Sequence, residues 1–270
     1  MALKTLNGIN YQYRIDGEGE PLLLLHGFTG SHKTWTDIRP LLSQQYRLIM
    51  PDLLGHGLTD APKMAERYTM QKVAGDLILL CELLRLERLT LLGYSMGGRL
   101  ALYLATHFPN HFKAVILESS SPGLAGPAER AARKKRDNQL ADRIENEGVK
   151  RFVDFWEGLP LWDSQKTNLT LAQKDGLHRQ RLLNRSQGLA NSLRGMGTGV
   201  QPSLWDQLHQ VSMPVLLMTG ALDQKFCKIA VEMALRFPRA SHRTLDNVGH
   251  TLHLEAPEEY VDALLYFLNS

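Results

Sequence analysis

The sequence has no uninterrupted apolar run of 18 residues, and its first 19 residues, MALKTLNGINYQYRIDGEG, lack the apolar core of a secretion signal. The first absence argues against a membrane-spanning helix, and the second argues against export. We therefore expect a cytoplasmic protein that does not insert into a membrane.

Cysteine is scarce as well. Only Cys81 and Cys227 occur, and each lies inside an apolar run of helical character. In a protein expected to be cytoplasmic, two such residues favour buried free thiols over a disulfide bond.

The sequence also lacks the common cofactor motifs. His250 and His253 lie three residues apart, but no H-E-x-x-H pattern and no nearby cysteine ligand accompany them, so we predict no metal site. No strand-to-helix junction carries G-x-G-x-x-G or a phosphate loop that ends in G-K-[ST]. We therefore predict that the protein uses no organic cofactor.

Positive charge is concentrated in one part of the chain. Residues 127–200 contain 14 Lys and Arg against 9 Asp and Glu, whereas the whole chain has a net charge of only +3. Nucleic-acid binding is typical of a long basic stripe or tail, and this chain has neither, so we predict no nucleic-acid partner. The local excess instead favours a small anionic partner.

Five short apolar runs show no polar alternation and end in loop residues: PLLLLHG, YRLIMPDLLGHG, LTLLGYS, KAVILESS and PVLLMTG. Such runs are typical of strands buried on both faces of a parallel sheet. The stretch around Asn7 and Gly8, which precedes these runs, alternates between apolar and polar residues and predicts a hairpin. Helical periods occur at 68–87, 96–108, 226–237 and 256–268. Strands that alternate with helices predict a doubly wound α/β fold.

Residues 122–208 interrupt this alternation. They contain amphipathic, charge-rich helical stretches and no apolar run typical of a buried strand, and the strand pattern resumes at MPVLLMTG. We predict a helical lid over residues 122–208, inserted at the carboxyl edge of the sheet. The two parts of the core are then residues 1–121 and 209–270.

A strand, the sequence G-x-S-x-G and then a helix surround Ser95, which is the context of an exposed nucleophile on a sharp turn. Asp223 follows a later buried strand, and His250 lies in a glycine-containing loop before the last helix. A serine needs a histidine to activate it and a carboxylate to orient that histidine. We therefore predict a triad of Ser95, His250 and Asp223.

The loop HGFTGS follows the first predicted buried strand. We predict that the backbone N–H groups of Phe28 in this loop and of Met96 after the serine form an oxyanion hole. His26, at the end of the strand, is interpreted as a structural anchor of the loop.

The motifs HGFTGS, DLLGHGLTD, GYSMGG, GALD and VGH resemble those of the α/β-hydrolase superfamily and cover the chain outside the lid. In addition, GYSMGGRLAL, SSSPGL, ERAARKKRD and GTGVQPSLW resemble the synthases that make 2-succinyl-6-hydroxy-2,4-cyclohexadiene-1-carboxylate (SHCHC) in menaquinone biosynthesis. The resemblance implies a lyase that eliminates pyruvate from 2-succinyl-5-enolpyruvyl-6-hydroxy-3-cyclohexene-1-carboxylate. It also implies that Ser95 acts as a general base and forms no acyl-enzyme.

The implied substrate carries three carboxylates, and the planar fork of arginine matches a carboxylate with two hydrogen bonds. Arg99, one turn after Ser95, is therefore predicted to bind substrate. By the resemblance, Arg133 and Arg181 match positions in the lid that bind substrate carboxylates. Tyr94 and Trp156 match further positions of the substrate site.

Two other functions use the same residues. A serine hydrolase, either a carboxylesterase or a carbon–carbon bond hydrolase, needs the same triad and oxyanion hole, and it is distinguished by an acyl-enzyme burst and by turnover of simple esters. A non-catalytic receptor of this fold binds a small acid stoichiometrically and turns nothing over.

Overall fold

The computed structural model describes residues 1–269, which contain an eight-stranded sheet in the order β1-β2-β4-β3-β5-β6-β7-β8. The first two pairs in this order, β1 with β2 and β2 with β4, are antiparallel, and all later pairs are parallel. The strands are β1 (Ala2–Leu6), β2 (Ile9–Asp16), β3 (Glu20–Leu25), β4 (Tyr46–Pro51), β5 (Leu89–Tyr94), β6 (Phe112–Glu118), β7 (Val215–Gly220) and β8 (Ala240–Leu245).

The predicted hairpin is present between β1 and β2. Asn7 and Gly8 both have positive φ angles, 47° and 79°, as a two-residue turn of type I′ requires. The predicted apolar runs form the centre of the sheet, and every residue of β5 and of β7 is buried. The mostly parallel α/β fold predicted from the sequence is confirmed.

Strand β8 is missing from the sequence-based prediction. It lies at the edge of the sheet, where it pairs only with β7. Its sequence, ASHRTL, alternates in burial and is fully buried only at its last residue. A strand at the edge of a sheet can leave more of its side chains exposed than a central strand can. It therefore lacks the continuous apolar run by which the other strands were predicted.

The four helical periods outside residues 122–208 correspond to helices with shifted ends. Period 68–87 is α2, and Thr69 caps its start. Period 226–237 is α8, which begins earlier than predicted because the side chain of Asp223 caps it. Within the described residues the structure has ten α-helices, namely α1 (Arg39–Leu42), α2 (Met70–Leu83), α3 (Met96–His107), α4 (Pro127–Glu157), α5 (Asp163–Asn168), α6 (Leu171–Leu182), α7 (Ser186–Met196), α8 (Gln224–Ala234), α9 (Leu252–Glu255) and α10 (Pro257–Leu268).

Every regular element that the structure describes between residues 122 and 208 is helical, and we call this range the insertion. Its longest helix, α4, is kinked at Gly148, where φ is +82°. Helices α4 and α7 enclose a small apolar core of their own, made of Ala141, Ile144, Phe152, Val153, Leu189, Ala190 and Leu193. The insertion thus buries apolar surface apart from the two layers that cover the sheet.

Cys81 is buried on α2, Cys227 is only partly buried on α8, and both are free thiols. The predicted burial of the Cys227 thiol is therefore incomplete. None of the helices within residues 1–269 is long and apolar enough to cross a membrane.

Candidate active site

Ser95 occupies a strained turn between β5 and α3. Its φ of 50° and ψ of −107° lie outside the backbone regions that residues other than glycine normally adopt. The turn fits only because Gly97 has no side chain, since a Cβ there would collide with the carbonyl of Leu25. The N–H of Ser95 donates to the carbonyl of Glu118 on β6 at 2.9 Å, which anchors the turn to the neighbouring strand.

Ser95, His250 and Asp223 form one hydrogen-bonded chain. Nε2 of His250 lies 3.1 Å from Oγ of Ser95, and Nδ1 of His250 lies 2.6 Å from Oδ2 of Asp223. The other carboxylate oxygen of Asp223 accepts the N–H of Phe226 at the start of α8. Because an ionised carboxylate only accepts, Nδ1 carries the proton and Nε2 is free to accept the serine hydroxyl.

Ser95, His250, Phe28 and Met96 all line one cavity of about 250 Å³, which we call the site cavity. Met96 is the first residue of α3, where backbone N–H groups have no partner within the helix. The structure therefore brings both predicted oxyanion-hole residues to the cavity that contains the serine.

His26 anchors the loop that contains Phe28 through two hydrogen bonds to the backbone. Its Nδ1 donates to the carbonyl of Gly27 at 2.8 Å, and its Nε2 accepts the N–H of Leu53 at 2.9 Å. Complete burial lowers the pKa of His26 to about 4, so the ring is neutral at pH 7. These contacts are those of a structural anchor.

Arg99 lines the site cavity one turn beyond Ser95. Its Nη1 donates to the carbonyl of Met196 at 2.8 Å and to Oε1 of Gln201 at 2.9 Å. Burial, and to a smaller extent the nearby charge of Arg133, lower the pKa of Arg99 to about 10. Removal from water makes a guanidinium favour an anionic partner.

Arg133, on α4, lines the same cavity, and its Nε donates to Oδ1 of the buried Asp137 at 2.7 Å. Lys225, at the start of α8, is a third cationic residue of the lining, and Asp137 is its single acidic residue among those described. The cavity therefore carries an excess of positive charge.

Much of the remaining positive charge of the insertion is neutralised locally by pairs with acidic side chains. These pairs are Arg143–Glu147, Lys150–Asp154, Lys166–Asp163 and Arg194 with Asp142 and Glu145. Among the described residues of the site cavity, Arg133 is the only cationic residue of the insertion, since Arg99 and Lys225 lie outside residues 122–208. The positive lining of the cavity therefore depends on the core as well as on the insertion.

The two predicted aromatic residues also line the site cavity. Tyr94 is buried and its hydroxyl lies 3.2 Å from Oγ1 of Thr251, so it packs beneath the serine turn as well. The ring of Trp156 contacts Phe28, with centroids 5.5 Å apart, and its indole Nε1 has no hydrogen-bond partner among the described residues.

Arg181 is placed differently from the other predicted binding residues. Its Nη1 donates to Oε1 of Glu157 at 2.9 Å, and its guanidinium lies 5.1 Å from the ring centre of Trp162. It lines a second cavity of about 790 Å³, which shares Phe28, Tyr94 and Trp162 with the site cavity. Sequence spacing could not reveal this, because successive positions of a helix face different directions.

Sequence reasoning missed several residues of the site cavity. Trp162 lies against His250, with ring centroids 5.7 Å apart, and its buried Nε1 has no partner among the described residues. Lys225 and the serines 119–121 follow the ends of β7 and β6, just as Asp223 and Ser95 follow the ends of their strands. The rule that functional side chains gather at the carboxyl ends of parallel strands was the signal that could have identified them.

Known proteins show the same sequence pattern and fold. A profile of the family described as alpha/beta hydrolase fold matches residues 20–257. A relative from Bacillus subtilis (strain 168) is 41% identical over 98% of this chain and 96% of its own length. The 2-succinyl-6-hydroxy-2,4-cyclohexadiene-1-carboxylate synthase of Serratia proteamaculans is 30% identical over 92% of each chain.

The solved structure of MenH from S. aureus superposes with a TM-score of 0.90 at 33% identity and covers 96% of this chain and 97% of that one. The Bacillus subtilis relative carries the same synthase name as the Serratia protein. Identity at this level over almost the whole chain shows the family. The chain therefore belongs to the α/β-hydrolase superfamily and, within it, to the family of 2-succinyl-6-hydroxy-2,4-cyclohexadiene-1-carboxylate synthases.

Proposed function

We propose that this protein is a lyase of menaquinone biosynthesis that eliminates pyruvate from 2-succinyl-5-enolpyruvyl-6-hydroxy-3-cyclohexene-1-carboxylate to give SHCHC. The observation that carries the proposal is the charge of the site cavity. Arg99, Arg133 and Lys225 line it together with Ser95, against one carboxylate, Asp137. A cavity of this kind suits a polyanionic substrate better than a neutral ester.

In this mechanism Ser95 is the general base. Nε2 of His250 accepts the hydroxyl proton of Ser95 over the 3.1 Å contact, and Asp223 stabilises the imidazolium through its 2.6 Å contact with Nδ1. The serine oxygen then removes the proton α to the succinyl ketone. The electron pair of that C–H bond forms an enolate, so the nucleophile makes no bond to carbon.

The enolate is the species that the backbone N–H groups of Phe28 and Met96 stabilise. Its electron pair then returns to form a ring double bond at the deprotonated carbon, the existing ring double bond shifts by one position toward the carbon that bears the enolpyruvyl group, and the C–O bond to that group breaks. The leaving enolate takes up a proton and becomes pyruvate. Donors placed in advance at a developing oxyanion contribute about 3 to 4 kcal/mol each in related acyl-transfer sites.

Substrate carboxylates bind to Arg99 and Arg133, and Trp156 offers its unpartnered indole N–H at the same cavity. Tyr94 forms part of the wall behind the serine. Arg181 belongs to the substrate site by resemblance alone, since it lines the neighbouring cavity. A cytoplasmic location and the absence of a nucleic-acid partner stay predictions from the sequence.

Release of pyruvate from the freshly prepared enolpyruvyl substrate tests the proposal, with p-nitrophenyl acetate measured in parallel. We expect pyruvate release that Ser95→Ala abolishes, together with negligible ester cleavage. Ester turnover with an acyl-enzyme burst and no pyruvate would establish the serine hydrolase instead. Stoichiometric binding of the acid without any turnover would establish a receptor.

A further inference from the structure

The main chain on both sides of His250 is held by one carboxylate. Oε2 of Glu255 accepts the N–H of Gly249 at 2.9 Å, and Oε1 of Glu255 accepts the N–H of Thr251 at 3.2 Å. Glu255 is the last residue of α9, the short helix that directly follows the loop of His250. Its side chain therefore reaches back to that loop. The two residues that flank the histidine are therefore fixed to the same side chain.

The insertion holds the same loop through α5. Nδ2 of Asn168 donates to Oε2 of Glu255 at 2.9 Å and to the carbonyl of Asn247 at 2.8 Å. Nε2 of the buried Gln165 donates to Oγ1 of Thr251 at 2.8 Å. One short helix of the insertion thus makes three hydrogen bonds with the histidine loop and its carboxylate.

Helix α5 also packs closely against the backbone of this loop. A Cβ built on Gly249 would collide with the hydroxyl of Ser164 on α5. The triad contacts fix the ring of His250 through Asp223, but they do not fix where the loop lies. Glu255 and α5 hold the residues that flank His250. The N–H of Leu222, which donates to the carbonyl of Val248, and the contact of His253 with Glu118 hold the loop farther from the histidine.

We propose that Glu255 and Asn168 are positioning residues for His250, and that α5 thereby couples the insertion to the catalytic histidine. A displacement of the insertion is transmitted to the 3.1 Å contact between His250 and Ser95. The inference rests on the proposed role of this pair as base and relay, whichever reaction the serine performs. A misplacement of about 1 Å in such a contact can cost about 100-fold in rate.

Two variants test the proposal, Glu255→Gln and the milder Asn168→Ala. Glu255→Gln replaces one acceptor oxygen with an amide donor that faces a backbone N–H. Asn168→Ala leaves Glu255 in place and removes two of the three hydrogen bonds that α5 makes with the loop and its carboxylate. The first measurement is the rate at which an alkyl fluorophosphonate labels Ser95. In this reaction the Oγ–P bond forms, the P–F bond breaks, fluoride leaves and the serine proton passes to His250, so the rate reports the pair directly without the natural substrate.

The second measurement is kcat and KM of pyruvate release. We expect both variants to lower the labelling rate and kcat, by about 10-fold to 100-fold for Glu255→Gln and less for Asn168→Ala, while KM changes by less than about twofold. The KM is preserved because Arg99 and Arg133 are untouched. Glu255→Asp, which keeps a carboxylate, should recover part of the loss.

The matched control is Glu258→Gln, the same change at an exposed position on α10, which should leave both rates unchanged. Wild-type labelling rates in folded Asn168→Ala and Glu255→Gln would overturn the proposal, and so would a raised KM with unchanged kcat. If Glu255→Gln does not fold, Asn168→Ala decides alone. Slower labelling in the variants, with no pyruvate released even by the wild type, would support the positioning role and refute the lyase.

Discussion

The carbonyl oxygen of Glu118 accepts the N–H of Ser95 at 2.9 Å, and this contact ties the strained serine turn to the end of the neighbouring strand. The buried carboxylate of Glu118 also lies 2.8 Å from Nδ1 of His253, three residues beyond His250. The serine turn and the segment after the histidine thus share one buried anchor. Such anchoring limits the reorganisation that the triad needs during the reaction.

Replacement of Asp223 by Asn should show what the carboxylate contributes. The amide nitrogen of asparagine can donate to Nδ1, which places the ring proton on Nε2, so Nε2 no longer accepts the proton of Ser95. We expect kcat of pyruvate release to fall by about 10³-fold to 10⁴-fold. Steady-state kinetics and a thermal unfolding curve of the variant are the measurement, and a loss of less than about tenfold would refute the triad.

Arg99→Ala should weaken substrate binding. A hydrogen bond to a charged group contributes about 1.5 to 3 kcal/mol, so KM should rise by about 10-fold to 100-fold. Arg136→Ala, at an exposed position on α4, is the control and should leave KM unchanged. An equal effect of both variants would mean that only the overall charge of the protein matters, and an unchanged KM in Arg99→Ala would remove this residue from the site.

Gly97→Ala and Gly75→Ala make the same change in two different surroundings. The new Cβ collides with the carbonyl of Leu25 at position 97 but meets nothing within 4 Å at position 75, inside α2. We expect Gly97→Ala to destabilise the protein and to abolish activity. Gly75→Ala should raise the free energy of unfolding by about 0.5 to 1 kcal/mol, because alanine favours a helix interior. Chemical denaturation distinguishes these outcomes, and equal midpoints would contradict the packing at the serine turn.

The buried His26 should make the protein less stable in acid. Burial lowers its pKa from 6.5 to about 4, so between these pH values the unfolded chain binds a proton that the folded protein does not. Stability therefore rises with pH in this window, and the contribution of His26, about 3 kcal/mol, is lost as the pH falls from above 6.5 to about 4.

The measurement is the free energy of unfolding of the wild type and of His26→Gln at pH 7.5 and at pH 4.5. The other ionisable residues of the sequence are the same in both proteins. The difference between the two proteins should therefore shrink in acid, because glutamine does not titrate. A difference that is independent of pH would show that folding does not lower the pKa of His26.

Local sequence patterns were enough to predict the central strands and to select Ser95, His250 and Asp223, which the structure joins by hydrogen bonds. Strands buried on both faces require continuous apolar runs, and the tight turn of a nucleophile such as Ser95 requires glycine on both sides of it. Both features can therefore be recognised in a short stretch of sequence. Asp223 could be predicted because it follows a buried strand, and His250 because it lies in a glycine-containing loop before the last helix, both in the chain order of the superfamily.

Other features depend on how segments that are distant in sequence pack together, so they could be seen only in the folded structure. It gave β8 an edge position that needs little apolar sequence, and it turned Arg181 toward Glu157 and the second cavity. It also brought Asn168 to Glu255, 87 residues away in the chain. The physical reason is that the direction of a helical side chain and the partner of a polar group depend on how distant segments pack, and no local pattern records that packing.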